Sequence, residues 1–235
     1  MVSSISFCLL TALCYTSVRQ KKPSLDTRRV SKEFSSDIKK QVKKGIAILQ
    51  QGGIVAYPTD TVYGLGACMN MRQAVERIYQ VKRRPMDMAL PLLVANFSQI
   101  EELAETVPTI ALKLISQFLP GALTIVFPAS PSVPDIITAG GTTVAVRIPA
   151  HPIPLALIEG IGAPLVGTSA NVSGKPSPLT AAEVYDQLGD ELDPIIDDGQ
   201  PCPGTASTIV DVTGEVPIVT REGAISREEI EKACQ

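Results

Sequence analysis

Hydrophobic and polar positions follow two different periods along this chain. Apolar residues recur every three or four positions in some segments, which is the spacing of one buried helix face. Helices are therefore predicted at residues 35–51, 71–84, 101–119, 153–159 and 181–188, with Pro108 favouring a break in the third. Another helix is predicted after Ser226, because Ser226 and Glu229 have the spacing of a capping box.

Short apolar runs bounded by turn residues predict strands between those helices. They lie at residues 54–57, 91–95, 123–127, 143–148 and 164–167, and three more lie near Ile195, Ile209 and Ile218. Strands alternate with helices at first and then follow one another closely. This order predicts an α/β fold in which helices flank a twisted, mixed β-sheet. Nothing resembles a linker after residue 45, so residues 36–235 are predicted to be one domain.

Residues 1–35 differ in composition from the rest and are predicted to be a leader. Their apolar run, residues 6–15, is too short to span a membrane, and we expect no membrane partner. Arg and Lys follow that run with few acids among them, which is typical of a mitochondrial or plastid transit peptide. A disordered tail on a cytoplasmic protein is the alternative.

Charge is divided unevenly between the N-terminal segment and the predicted domain. Residues 1–45 hold 10 Lys and Arg against 3 Asp and Glu, whereas residues 46–235 hold 11 against 21. That excess of acids gives the domain little drive to bind nucleic acid, although the basic leader would allow weak RNA binding. The single histidine, His151, and five cysteines without a CxxC motif argue against a zinc site, a Ser-His triad and a disulfide framework.

Three cations of the acidic domain stand together in VKRRP, residues 81–85. Cations suit the C-terminal end of a helix and Pro85 cannot continue it, so the run has a structural explanation. Phosphate binding is the alternative. The chain contains neither GxxxxGK[ST] nor GxGxxG, so a nucleotide would be held by side-chain cations, hydroxyls and turn amides.

Polar groups follow several of the predicted strands. PTDTVYGLGA, residues 58–67, offers hydroxyls and a carboxylate, either in a hydrogen-bonded turn or at a ligand site. In TVAVRIP, residues 143–149, the side chains of Thr143, Ala145 and Arg147 share one strand face. An Arg in an apolar strand needs an anionic partner, which is either an internal acid or a ligand carboxylate.

Further hydroxyls lie in GTSANVSGKPSP, residues 167–178, although a flexible linker would have a similar composition. Ser207 begins a later strand, and Arg221 follows the last one. Hydroxyls and isolated cations after successive strands predict a site for a small, hydroxyl-rich, anionic ligand.

Seven motifs in a fixed order make this sequence resemble a known family. They are PTDTVYGLG, IYQVKRRP, PGALT, TVAVRIPAHP, TSANVSGKPSP, STIVD and REGAI, and they extend over roughly residues 38–230. They resemble the YrdC family of threonylcarbamoyl-AMP synthases. The resemblance implies a twisted α/β domain with a large, concave, basic cavity. It also implies a reaction in which L-threonine, bicarbonate and ATP give threonylcarbamoyl-AMP and pyrophosphate.

The resemblance assigns expected roles to individual residues. It implies threonine contacts from Thr61, Arg147 and Ser207. It implies ATP contacts from Lys82, Arg84, Thr143, Ser169, Asn171, Ser177 and Arg221. Catalysis would rest on Lys82, Arg84 and Arg147. Mg²⁺ would enter with ATP, and a tRNA threonylcarbamoyl transferase complex would use the product to modify tRNA beside the anticodon.

Two positions depart from the pattern of the longer family members. Met88 replaces an Asn and Leu93 replaces a His in RPMDMALPLL, so contacts from that loop are not carried over. The extra C-terminal domain of the longer members is not expected here. The alternative function is that of an RNA-binding or regulatory homologue without synthase activity.

Overall fold

The computed structural model describes residues 34–192 and 194–235. The leader prediction lies outside the described residues, apart from its last two positions. The helices are α1 (Ser36–Gln50), α2 (Arg72–Lys82), α3 (Phe97–Leu103), α4 (Thr109–Phe118), α5 (Asp135–Thr138), α6 (Pro152–Ile161), α7 (Ala181–Leu188) and α8 (Arg227–Cys234). A short 3₁₀ helix, Gly189–Glu191, follows α7. Within the described ranges, no helix is both long and apolar enough to cross a membrane.

The strands form two sheets, both of which contribute to the site described below. They are β1 (Val55–Tyr57), β2 (Gly64–Gly66), β3 (Leu92–Leu93), β4 (Leu123–Pro128), β5 (Thr143–Arg147), β6 (Leu165–Val166), β7 (Thr168–Ser169), β8 (Thr208–Asp211) and β9 (Ile218–Arg221). The small sheet has the order β1-β2-β7, and the large one has the order β6-β3-β5-β4-β8-β9. The large sheet is mixed, with parallel pairs β3–β5 and β4–β8. The predicted α/β class with a mixed sheet is therefore confirmed.

The small sheet was not foreseen, because its middle strand consists of Gly64, Leu65 and Gly66. Glycine has little strand propensity, and the prediction placed these residues in a loop. The absence of side chains at the two glycines allows another residue to pack directly on the strand. A Cβ on Gly64 would lie 2.8 Å from Cε2 of Tyr57, so the fully buried tyrosine ring covers the bare backbone.

Several element boundaries also differ from the predictions. The helix expected at residues 101–119 is divided into α3 and α4, and Pro108 is the N-cap of α4. Residue Ile195 forms a single bridge to Ala56 rather than a strand. The capping box is confirmed, because Ser226 N–H donates to Glu229 Oε2 at 2.9 Å and Glu229 N–H donates to Ser226 Oγ at 3.3 Å. The hydrogen bonds from the backbone and hydroxyl of Ser226 lower the pKa of Glu229.

Side chains along the central strands alternate between the two faces of the large sheet, so that one face packs in the core and the other borders the cavity. On β4, Leu123, Ile125 and Phe127 are fully buried in the core. On β5, Val144 and Val146 are buried, whereas Thr143 and Ala145 are half-buried. Thr143, Ala145 and Arg147 lie at alternate positions of β5 and therefore share one face, as predicted.

Close backbone packing follows the last strand of the large sheet. Ala224 N–H donates to Ala206 O at 2.9 Å, and Gly223 N–H donates to Thr208 Oγ1 at 2.9 Å. A Cβ on Gly223 would lie 2.2 Å from Ala206 O and 2.7 Å from the carbonyl carbon of Ser207. The segment therefore has room for glycine only.

Gly223→Ala is expected to lower the free energy of unfolding by about 1–3 kcal/mol, because backbone atoms would have to move. Gly214→Ala is the matched control, since its nearest new contact would be Val216 O at 4.0 Å. The control should change stability by less than about 0.5 kcal/mol. Urea denaturation measures both, and equal effects would contradict the packing argument.

Candidate ligand-binding cavity

An open cavity of about 330 Å³ lies between the two sheets. Strands of the large sheet form its floor, and the small sheet and the loops after its strands form one wall. Its lining comprises Thr59, Thr61, Val62, Gly64, Arg84, Ala89, Leu90, Pro91, Leu93, Thr124, Val126, Ala145, Arg147, Gly167, Thr168, Ser169, Ser177, Ala206, Ser207, Ile209 and Arg221. Three arginines and seven Ser or Thr side chains thus face one space.

Seven of the ten predicted site residues line this cavity. They are Thr61, Arg84, Arg147, Ser169, Ser177, Ser207 and Arg221. The other three, Lys82, Thr143 and Asn171, are not in the lining. The structure thus brings most of the predicted residues together, although 160 positions separate the first from the last along the chain.

The guanidinium of Arg147 is buried and has an acceptor on each nitrogen. Its Nη2 lies 2.6 Å from Asp60 Oδ1, its Nη1 donates to Thr61 Oγ1 at 2.9 Å, and its Nε donates to Gly121 O at 2.9 Å. Of the two partners left open by the sequence, an internal acid is therefore present. Each Nη atom carries a second hydrogen, so the group still has donors for a ligand carboxylate.

The hydroxyl of Thr61 is oriented by its neighbours. Thr59 Oγ1 donates to Val62 O at 2.7 Å and accepts from Thr61 N–H at 3.0 Å. The hydroxyl hydrogen of Thr59 is already donated to Val62 O, and Thr61 Oγ1 accepts from Arg147. The hydroxyl hydrogen of Thr61 therefore points to Thr59 Oγ1, 2.9 Å away, or to a ligand. Thr61 lines the cavity and can donate to a ligand by giving up its contact with Thr59 Oγ1.

Arg221 and Ser207 form a second polar group on the other side of the floor. Arg221 donates to Ser207 O from Nε at 3.1 Å and from Nη2 at 2.8 Å, and Nη2 also lies 3.2 Å from Ser207 Oγ. Burial lowers the pKa of Arg221, and the positive charge of Arg147 lowers it further. Two like charges therefore share the cavity, an arrangement that an anionic ligand would relieve.

Arg84 is placed at the rim by the end of α2. Arg83 ends the helix with a left-handed backbone, φ 51°, so the chain turns away before Pro85. Arg84 then donates to Met88 O at 3.3 Å and to Ala89 O at 2.8 Å, which holds the following loop beside the cavity. The side chain of Met88 is exposed, whereas Leu93 is buried and lines the cavity.

Lys82 is buried behind the wall instead of facing the cavity. Its Nζ donates to Ser169 O and, at 2.8 Å, to Asn171 O, while Ser173 N–H donates to Lys82 O at 2.7 Å. Burial, and then the charge of Arg84, lowers the pKa of Lys82 to about 8. The ammonium group fastens the loop of residues 167–178 to the end of α2 in this conformation, and the phosphate contact and catalytic role of Lys82 stay predictions.

The other two predicted residues outside the lining differ in their surroundings. Asn171 is buried, and its Nδ2 donates to Val172 O at 2.9 Å and Lys175 O at 2.7 Å, so its amide shapes the same loop. Thr143 shares the cavity face of β5 but stands at the far end of the strand, opposite Pro128. Neither side chain reaches the lining in this conformation.

Three polar residues of the lining, Thr59, Thr124 and Thr168, were not among the predicted site residues. Thr124 occupies the second position of the apolar strand LTIVFP, where a lone hydroxyl on one face is the available signal. Thr59 and Thr168 were each noted only as one hydroxyl among several in their loops. Thr124 was obscured because apolar neighbours surround it in the sequence.

The molecule is thus an α/β domain with a cavity between two sheets that is lined by three arginines and seven Ser or Thr side chains. The family model for Sua5/YciO/YrdC, described as Telomere recombination, matches residues 47–223. The threonylcarbamoyl-AMP synthase of Pyrococcus abyssi is 44% identical over 192 residues, which cover 82% of this chain and 56% of that protein. The one of Bacillus subtilis is 42% identical, with coverages of 81% and 56%.

A solved structure agrees with these sequence matches. P. abyssi Sua5 complexed with L-threonine superposes with a TM-score of 0.81 at 42% identity, covering 86% of this chain and 58% of that one. The chain belongs to the Sua5/YciO/YrdC family. It spans 56% of the length of the two synthases named above.

Lys82→Met is expected to lower the free energy of unfolding by about 1–3 kcal/mol, because buried carbonyl oxygens lose their donor. The folded pKa of about 8 lies below the usual 10.5. Between these values the unfolded chain binds more protons, so the wild type gains stability relative to the variant as pH rises.

Denaturant titrations across that pH range measure the difference between the two proteins. Lys175→Met, which changes an exposed lysine of the same loop, is the control and should track the wild type. Parallel curves for the wild type and Lys82→Met would contradict the buried position of the ammonium group.

Proposed function

We propose that this protein is a threonylcarbamoyl-AMP synthase that uses L-threonine, bicarbonate and ATP. The observation that carries the proposal is the convergence of Arg84, Arg147 and Arg221 with several hydroxyls on one cavity. L-Threonine and ATP both carry anionic groups, a carboxylate and a triphosphate, and both carry hydroxyl groups. The names of the relatives described above point to the same reaction.

The threonine carboxylate would bind to Arg147. The remaining Nη hydrogens of this guanidinium suit a carboxylate, and Thr61 beside it offers a hydroxyl hydrogen. Asp60 and Gly121 hold the guanidinium from the other sides, so it is oriented before the substrate arrives. Such preorganisation lowers the entropic cost of placing the amine for attack.

The chemistry needs no enzyme nucleophile. Bicarbonate takes up a proton and loses water to give CO₂, and the threonine amine then forms a C–N bond to this carbon and loses a proton. An oxygen of the resulting carbamate attacks the α-phosphorus of ATP, and the bond to the β-phosphate breaks to release pyrophosphate. Arg84 and Arg221 would stabilise the charge that develops on the phosphates.

Mg²⁺ would enter with ATP. The cavity lining offers hydroxyl and guanidinium groups, and within the described ranges no cluster of three or more His, Cys, Asp or Glu side chains could hold a metal ion. Phosphate oxygens and water would therefore be its main ligands. The ion would supply charge neutralisation at the phosphates, and the arginines would orient them.

The product implies a partner reaction. Threonylcarbamoyl-AMP is a mixed anhydride, so it is activated for transfer of its acyl group. We propose that a tRNA threonylcarbamoyl transferase complex consumes it, with the adenosine beside the anticodon as acceptor.

The purified protein is expected to release pyrophosphate only when ATP, Mg²⁺, L-threonine and bicarbonate are all present. Each component is omitted in turn, and mass spectrometry identifies the adenylate product. Because all the substrates meet in one cavity, no pair of them should suffice. Absence of turnover in a folded protein that binds ATP would favour the regulatory homologue instead, and salt-dependent RNA binding without turnover would favour an RNA-binding one.

Arg84→Gln is expected to reduce kcat/KM for ATP by about 100-fold, because a cation beside the phosphates is lost. Arg83→Gln is the matched control, since Arg83 is exposed and precedes the rim residue. Steady-state kinetics with ATP varied at saturating L-threonine separates the two variants. Equal kcat/KM values for Arg84→Gln and Arg83→Gln would show that Arg84 does not act on the phosphates.

A further inference from the structure

Two buried hydroxyls lie side by side on the cavity floor. Thr124 Oγ1 and Ser207 Oγ are 2.8 Å apart, and their residues are only 4% and 7% exposed. Both residues line the cavity. The proposed reaction gives Ser207 a substrate contact but leaves Thr124 without a role.

The two hydroxyl groups together have one hydrogen available for a ligand. Each hydroxyl carries one hydrogen, and one of the two is used between the oxygens. Arg221 Nη2, 3.2 Å from Ser207 Oγ, is a donor and cannot accept the other. In the part of the chain that the structure describes, neither hydroxyl has a further acceptor. A ligand at this point must offer one, or a buried hydrogen stays unpaired.

Apolar side chains flank the hydroxyl pair on the same floor. Val126 follows Thr124 by two residues and therefore shares its face of β4. Ala145 pairs with Val126 across the β4–β5 ladder, and Ile209 pairs with Thr124 across the β4–β8 ladder. All three line the cavity. The floor thus presents one hydrogen-bonding point beside an apolar surface.

We propose that Thr124, acting with Ser207, binds the β-hydroxyl of the amino-acid substrate and is a specificity-determining residue. The inference rests on the proposed function, which makes L-threonine that substrate. A substrate hydroxyl accepts the spare hydrogen and also has one of its own to donate. The threonine methyl group then contacts the apolar surface formed by Val126, Ala145 and Ile209. An amino acid with a CH₂ group in place of the CH(OH) group of threonine leaves the hydroxyl hydrogen of the Thr124–Ser207 pair without an acceptor.

The test measures kcat/KM of the wild type and of Thr124→Val with each of two substrates, L-threonine and L-2-aminobutyrate. Thr124→Val removes the hydroxyl but keeps the β-branched shape, and L-2-aminobutyrate lacks the substrate hydroxyl. The wild type should prefer L-threonine over L-2-aminobutyrate by about 10- to 100-fold in kcat/KM. Thr124→Val should lose part of that preference, because only the hydroxyl of Ser207 then remains beside the substrate hydroxyl, and the loss in kcat/KM should be larger with L-threonine than with L-2-aminobutyrate.

Two further variants control for shape and burial. Thr124→Ser retains a hydroxyl and should restore the preference for L-threonine. Thr138→Val removes another buried threonine hydroxyl, which donates to Asp135 O at 3.3 Å outside the cavity lining. This variant should match the wild type with both substrates.

Specific outcomes overturn the inference. An unchanged preference in Thr124→Val excludes the residue from selection, and an equal loss with both amino acids reduces its role to a structural one. If Thr124→Val does not fold, Thr124→Ala and Thr124→Ser are compared in the same way.

A wild type without turnover refutes the proposed function but still leaves this inference testable by calorimetry. Binding of L-threonine and L-2-aminobutyrate to the wild type and Thr124→Val then decides it. Discrimination lost only in the variant supports the role of Thr124. No discrimination by the wild type, or no binding of either amino acid, overturns it.

Discussion

The hydrogen-bonded guanidinium of Arg147 is the interaction on which the rest of the site depends. It ends β5 of the large sheet, yet its partners Asp60 and Thr61 belong to the loop after β1 of the small sheet. A third bond to Gly121 ties it to the turn before β4. A buried cation must have acceptors, so these loops are held where the guanidinium needs them. The guanidinium therefore joins the floor of the cavity to the wall formed by the small sheet.

Backbone carbonyl groups hold the other cations in the cavity and behind its wall. Lys82, Arg84 and Arg221 each donate to main-chain oxygens of loops that border the cavity. Carbonyl acceptors orient a cation without neutralising it, whereas Asp60 partly offsets the charge of Arg147. Positive charge therefore remains available to an anionic ligand. Its mutual repulsion makes the empty cavity less favourable than a filled one.

Much of the fold followed from local signals that packing did not override. The helix at residues 181–188 and the capping box at Ser226 were predicted, because periodicity and cap spacing act over a few residues. The strand Gly64–Gly66 could not be predicted in the same way. Its stability comes from pairing with distant partners and from the ring of Tyr57, which local propensity does not contain.

The sequence by itself determined the class of fold, the family resemblance and most of the polar residues of the cavity, since long motifs place polar groups after strands. Tertiary structure alone decided which way each side chain faces. Lys82 and Arg84 are two residues apart, but the helix ends between them, so one is buried among carbonyls and the other reaches the rim. Thr124 looked like part of an apolar strand until the β4–β8 ladder set it beside Ser207. Such pairings depend on contacts between segments distant in sequence, which local patterns do not encode.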